Sequence, residues 1–213
     1  MTTITDPDPR QRVSLEEKIT EIGKAIERRK FIEIGLRVPH QFFVTSGIGE
    51  SDLTHHAGSY HDALIDARIA EFNHIDYSSI LPGIAEDIGQ KPEGLIHGSV
   101  MEGISAVANV RKGERGTAGI IYSWLINRQT RKRFGGLVCE YNGSKTEDEA
   151  REMLFGNLQE LYTNGFSEKY VLEDPFLITR SIISKKEYGT ALIRICFVNH
   201  KVPILSKPYH RKR

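Results

Sequence analysis

The chain has little cysteine. Two occur among 213 residues, Cys139 and Cys196, and each lies inside an apolar, strand-like run. They read as reduced core residues rather than a disulfide framework, which fits a cytoplasmic compartment. No apolar run is long enough to cross a bilayer. Met1 leads into a polar segment with Pro7 and Pro9, so neither a signal region nor a membrane partner is expected. The net charge is only +1, which removes the global electrostatic case for binding nucleic acid. The basic run His210-Arg211-Lys212-Arg213 reads as a solvated tail. Low-complexity tracts, internal linkers and short-period repeats are also missing. With 39% hydrophobic and 27% charged residues, the composition is that of a soluble globular domain.

Several catalytic signatures are absent too. Ser46-Gly47-Ile48-Gly49-Glu50-Ser51-Asp52 reads as a glycine-containing loop. Its spacing is neither that of a P-loop nor that of a dinucleotide fingerprint, and its acids repel phosphate. No Gly-x-Ser-x-Gly elbow occurs. His74 stands five residues before Ser79, on the opposite face of a regular strand, which argues against a serine–histidine pair. His55-His56, His61 and His74 are concentrated in sequence. Adjacent histidines point apart, however, and nothing signals convergence, so no metal site is expected.

The elements follow from pattern. Ser14-Leu15-Glu16-Glu17 is a capping box, and Ile19, Ile22, Ala25 and Ile26 continue it as an amphipathic helix to about Lys30. Gln41–Thr45 reads as a short strand, and Ser59–Ala70 as a helix with Tyr60, Ala63, Leu64 and Ala67 on one face. Phe72–Ile80 reads as a strand that ends at Ser78-Ser79, before a Pro82-Gly83 turn. Leu95–Val110 is a strand bent at Gly98 or Gly103, followed by strands over Thr117–Ile126 and Gly136–Tyr141. Ser144 and Thr146 both offer caps for a helix with Met153, Leu154, Leu158 and Leu161 as its stripe, closing at Asn164-Gly165. Leu177–Ser184 and Thr190–Asn199 read as a closing hairpin. Strands cluster instead of alternating with helices. The expected class is α+β, an αββα-type sandwich of mostly antiparallel sheets covered by helices, with an extra N-terminal helix. Residues 1–37 form an extension, and 38–213 form one domain carrying the basic tail.

The acids are the chemically informative residues. Glu140 sits in Gly136-Leu137-Val138-Cys139-Glu140-Tyr141. Alternation places it with Val138 on one face and puts Leu137, Cys139 and Tyr141 on the other. Burial there would raise its pKa and suit it to general acid work, while an exposed sheet face is the plain alternative. Glu102, between Met101 and Gly103, has the same ambiguity. Glu50 and Asp52 read as loop acids at a subunit contact or a cationic ligand. Ser78-Ser79 by itself reads as a turn cap.

Taken together, these blocks resemble the pyruvoyl-dependent arginine decarboxylases. The resemblance runs from about Val38 to about Asn199. It rests on Gly47–Asp52, Ala63–Ala67, Asn73, Ser78-Ser79-Ile80-Leu81-Pro82 and Gly136–Tyr141. The Gly47–Asp52 block and His97–Glu102 look most like the bacterial branch. The resemblance implies self-cleavage between Ser78 and Ser79, with Ser79 becoming a covalent pyruvoyl group. That group would form a Schiff base with a small-molecule amino-acid substrate, arginine giving agmatine and carbon dioxide. It implies that Asn73 hydrogen-bonds the pyruvoyl group and that Glu140 donates a proton. It also implies homotrimers, or pairs of trimers, of cleaved protomers. The family holds the guanidinium with an aspartate eighteen positions before the pyruvoyl serine, and here that position is His61, with Asp62 next. A histidine cannot supply a carboxylate fork. One helical position turns a side chain by about 100 degrees, so Asp62 does not simply replace that aspartate: either the helix shifts, or Asp52 or Glu50 substitutes, or the substrate is another amino acid. A third expectation, of another class, is an uncleaved, non-catalytic trimeric homologue.

Overall fold

A computed structural model describes residue 20 and residues 36–202. The helix expected over 14–30 and the basic tail lie outside the described residues. One compact unit spans Arg37–Lys201. Its strands are β1 (Val38–Pro39), β2 (Gln41–Ser51), β3 (Asn73–Asp76), β4 (Ile80–Pro82), β5 (Glu86–Asp87), β6 (Val100–Arg111), β7 (Arg115–Asn127), β8 (Arg133–Gly143), β9 (Tyr170–Ile183), β10 (Tyr188–Phe197) and β11 (His200–Lys201). Two helical segments accompany them. The first, α1, runs as a π-type turn over His55–Tyr60 and as α-helix over His61–Asp66, and the second, α2, covers Glu147–Gly165. The class is α+β.

A five-stranded sheet has the order β3-β6-β10-β2-β5, and a four-stranded sheet the order β4-β8-β7-β9. Pairing is antiparallel except for the short β3–β6 and β2–β5 contacts. One core lies between the sheets, where Phe42, Ile104, Ile193 and Ile195 meet Ile120, Tyr122 and Val138. A second fills the space between α1 and the five-stranded sheet, and a third lies between α2 and the four-stranded sheet.

The stretch Gly47–Asp52 is not a loop. β2 continues through it to Ser51, and its glycines serve packing instead of ligand binding. A β-carbon on Gly47 would stand 2.0 Å from the Ala63 carbonyl oxygen, and one on Gly49 would stand 2.1 Å from that of Ser59. Only a strand without side chains at these points lets α1 lie this close.

The expected closing hairpin is also absent. β9 pairs with β7, whereas β10 inserts between β2 and β6 in the other sheet. Gly189–Phe197 is buried throughout, which is the pattern of a central strand covered on both faces. β9 is a half-buried edge strand and tolerates Pro175. Lys185–Glu187 therefore carries the chain from one sheet to the other.

α2 begins as expected. Thr146 caps it, with Glu149 completing the capping box. Leu154 and Leu158 are buried, but Met153 and Leu161 are exposed, so the apolar stripe is narrower than the sequence pattern. Cys139 and Cys196 are free thiols in the core. Burial pushes them up to about 11 and about 12 respectively.

Gly47→Ala should lower stability by about 3 kcal/mol, because the new methyl meets helix backbone that cannot rotate away. Urea unfolding followed by far-UV circular dichroism would show a lower midpoint.

Candidate active site

The expected strand over Phe72–Ile80 is two strands. β3 ends at Asp76 and belongs to the five-stranded sheet, while β4 starts at Ile80 and belongs to the four-stranded sheet. Tyr77-Ser78-Ser79 is the crossing between them. The Tyr77 N–H donates to the Gly103 carbonyl at 2.7 Å, the last tie to β6. The Val138 N–H donates to the Ser79 carbonyl at 3.1 Å, the first tie to β8. Between these ties, the Ile80 N–H donates to the Ser78 carbonyl at 2.8 Å, closing a three-residue turn centred on Ser79.

Glu140 lies on β8 opposite Ile120. The alternation read from sequence holds. Val138 faces the inter-sheet core, while Leu137, Cys139 and Tyr141 face α2. The half-buried Glu140 therefore points to the inter-sheet side, where the Ser79 hydroxyl donates to its two carboxylate oxygens at 2.7 and 2.9 Å. Ser78 is exposed. One residue supplies a hydroxyl held on a base, and its neighbour supplies a carbonyl already accepting an N–H. That is the pairing an acyl shift needs. Asn142, on the same face of β8 as Glu140, lines a cleft of about 670 Å³ with Asn109, Arg115 and Ser144.

The other sequence candidates are placed apart from this pair. Asn73 donates its side-chain amide to the Gly98 carbonyl at 2.7 Å and forms no hydrogen bond with Ser79 or Glu140. Glu50 accepts from the Lys185 amide, and from the Ser184 hydroxyl and the Lys186 amide at 3.3 and 3.4 Å. The Lys185 amide leads in holding its carboxyl below the usual range, against the opposing effect of burial. Asp52 accepts from the Glu187 amide at 3.3 Å, so both acids fasten the Lys185–Glu187 crossing. His61 and Asp62 are exposed on α1. His61 lines a shallow hollow with His56, Ala57, Tyr60 and Leu64, and Asp62 makes no hydrogen bond or ion pair with the described residues. Among the described residues, no three His, Cys, Asp or Glu side chains group as metal ligands, and no helix is long and apolar enough to cross a membrane.

The sequence pattern of the pyruvoyl-dependent arginine decarboxylase family matches residues 41–202. The chain belongs to that family. It is similar to a pyruvoyl-dependent arginine decarboxylase of Thermoplasma volcanium, at 32% identity over 160 residues, covering 68% of this chain and 85% of that protein. It is also similar to one of Chlamydia abortus, at 28% identity over 186 residues, covering 78% of this chain and 93% of that protein. The family consists of carboxy-lyases that carry a covalent pyruvoyl group.

Sequence reasoning left Glu102 open and missed its partners. It is only 3% exposed and accepts from the Tyr77 hydroxyl at 2.5 Å, with His200 Nε2 2.7 Å from the same oxygen and Arg37 on the other. Glu102 itself, between two apolar-strand neighbours, carried the signal of a buried acid. No local pattern points to Arg37 or His200.

His74 on β3 is half-buried. Its Nε2 donates to the Ile69 carbonyl at 3.0 Å, and its Nδ1 is buried without a partner. Burial, then the nearby Arg194 guanidinium, holds its pKa below the usual 6.5, against the Ile69 carbonyl, Asp76 and Glu71. The unfolded chain thus binds this proton more readily than the folded one. The stability contributed by neutral His74 is present above 6.5 and lost as pH falls through the depressed value. Urea midpoints should therefore drop from pH 7 to pH 5, with a shallower drop in His74→Gln.

Proposed function

We propose that the chain cuts itself between Ser78 and Ser79 and then decarboxylates an amino acid, with arginine giving agmatine as the leading substrate. The observation that carries this reading is the Ser79 hydroxyl seated on both oxygens of Glu140, beside a Ser78 carbonyl that accepts the Ile80 N–H.

Glu140 takes the proton from Ser79 Oγ, and the oxygen attacks the Ser78 carbonyl carbon. The Ile80 N–H stabilises the developing oxyanion. The peptide C–N bond breaks, its nitrogen takes up the proton, and the Ser78 acyl group is left as an ester on Oγ. Loss of the Ser79 Cα proton expels the Ser78 carboxylate and leaves a dehydroalanine. Water adds to its imine form and ammonia departs, so one chain ends at Ser78 and the other begins with pyruvoyl.

The surroundings fit that group. The Val138 amide already holds the carbonyl of residue 79, and Glu140 reaches its side chain. When formed, the group supplies a ketone that condenses with an amine and withdraws electrons from the carbon losing carbon dioxide. Glu140 is the side chain placed to return a proton to that carbon, and Asn73 is proposed to hydrogen-bond the pyruvoyl oxygen. The cleft beyond Asn142 offers room for the substrate.

For a guanidinium, Asp62 is the available carboxylate, because Glu50 and Asp52 are occupied by backbone amides. His61 at the position of the family's aspartate supports a second reading, the same chemistry on another amino acid. The names of the relatives from Thermoplasma volcanium and Chlamydia abortus favour arginine. A cytoplasmic homotrimer, or a pair of trimers, accompanies the proposal. The exposed apolar side chains of Leu53, Ile96 and Val100 support such contacts.

Purified protein should run as two chains on a denaturing gel, with the cut after Ser78 by intact mass. Ser79→Ala should stay whole and release no carbon dioxide, and Glu140→Gln should cut at least about 100-fold more slowly. A wild-type chain still whole after prolonged incubation sinks the reading. Asp62→Asn should raise KM for arginine by about tenfold and change kcat little. Carbon dioxide release across an amino-acid panel separates arginine from the second reading.

A further inference from the structure

The crossing at Ser78-Ser79 has an acid on each side. Glu140, downstream, touches the reacting hydroxyl. Glu102, on β6 beside the Tyr77 end of the crossing, does not, yet it is the more deeply buried of the two and has the fuller set of partners. An ionised carboxylate is kept out of water only where donors surround it. Here one of the donors is Tyr77, the residue that precedes the scissile pair.

Tyr77 is held at three points. Its N–H is on the Gly103 carbonyl at 2.7 Å, its ring packs on Phe197 with centroids 5.8 Å apart, and its hydroxyl is on Glu102. The two residues before it are fixed as well. Arg194, 1% exposed, donates to the Ile75 carbonyl at 2.9 Å and pairs with Asp76. Ser78 is the first residue past these anchors, and it carries the carbonyl carbon under attack.

We propose that Glu102 is a positioning residue for the cut between Ser78 and Ser79, acting through the Tyr77 phenol. The inference rests on the self-cleavage reading. An acyl shift within one serine needs the hydroxyl and the preceding carbonyl carbon at near-attack distance. Glu140 and the Val138 amide fix the hydroxyl end. Glu102 fixes the carbonyl end, because Tyr77 cannot swing while its hydroxyl is bound. Arg37 and His200 hold the Glu102 oxygens in place for that bond. Glu102 touches no reacting atom, so its effect falls on the cleavage rate and not on the later chemistry.

The test uses full-length chains made as uncut precursor. Tyr77→Phe keeps the ring on Phe197 and removes only the hydroxyl, while Glu102→Gln keeps the shape and removes the charge. Each should slow the first-order appearance of the two chains by about tenfold. The double variant should be no slower than the worse single one, since both act on the same bond. Urea midpoints taken in a Ser79→Ala background, where no cut occurs, should move little for Tyr77→Phe. Once cut, Tyr77→Phe should release carbon dioxide with wild-type kcat and KM. Wild-type cleavage rates in Tyr77→Phe, or fully additive slowing in the double variant, overturn the inference and leave the proposed function standing. A wild-type chain that never cuts removes the self-cleavage reading itself.

Discussion

The passage of the main chain between the two sheets at Tyr77-Ser78-Ser79 is the constraint around which the site is built. Strands that belong to different sheets cannot share a ladder, so the linking residues have no regular backbone partners. This link finds irregular ones: a rung to Gly103 before it, a rung to Val138 after it, and a tight turn from Ile80 to the Ser78 carbonyl. That turn brings one peptide carbonyl and the next residue's hydroxyl into a single short segment. The two carboxylates differ in their surroundings. Glu102 is enclosed by Arg37, His200 and Tyr77. Glu140 is half-buried and accepts the Ser79 hydroxyl on both oxygens.

The frame around the link resists shear. β10 is packed on both faces, so both sides of the five-stranded sheet are filled. Phe42 meets Tyr122 and Phe197 edge-on, at 5.7 and 6.0 Å between centroids, and joins the sheets near the crossing. On the outer side, the backbone of α1 lies against Gly47 and Gly49 too closely to slide. Arg194 is the least expected member of this frame. It is buried in the central strand with its Nε unpartnered, yet its remaining nitrogens tie Ile75, Asp76, Met101 and Ser105 together. Its role is to hold β3 on β6, next to the link.

Local patterns in the sequence were legible, and pairings across long separations were not. The face of Glu140 followed from a period of two, and the start of α2 followed from Thr146 and Glu149. Both are decided within a few residues. The glycines of β2 misled because their purpose lies in a helix whose approach no strand pattern encodes. β9 and β10 resembled a hairpin because a short polar connection separates two β-rich runs. The continuous apolar run of β10, which distinguishes a central strand from a half-exposed one, was the available signal against it. The Glu102 cluster draws on residues 37, 77 and 200, separated in sequence by a whole sheet, and no window of the chain contains it.

The same geometry would let the proposed cut leave the fold intact. A cut between Ser78 and Ser79 breaks the crossing and no ladder. The new end at Ser78 remains tied through Tyr77 and β3 to β6, by four paired residues, the Gly103 rung and the Glu102 bond. The new end at residue 79 remains tied through Val138 and through the pairing of β4 with β8. Neither set of bonds depends on the other. Association of the two pieces rests on the inter-sheet core, which the cut does not touch. The proposed cut would therefore have to follow the packing that brings the sheets together, because only the folded chain places Glu140, which lies 61 residues further along, on the Ser79 hydroxyl.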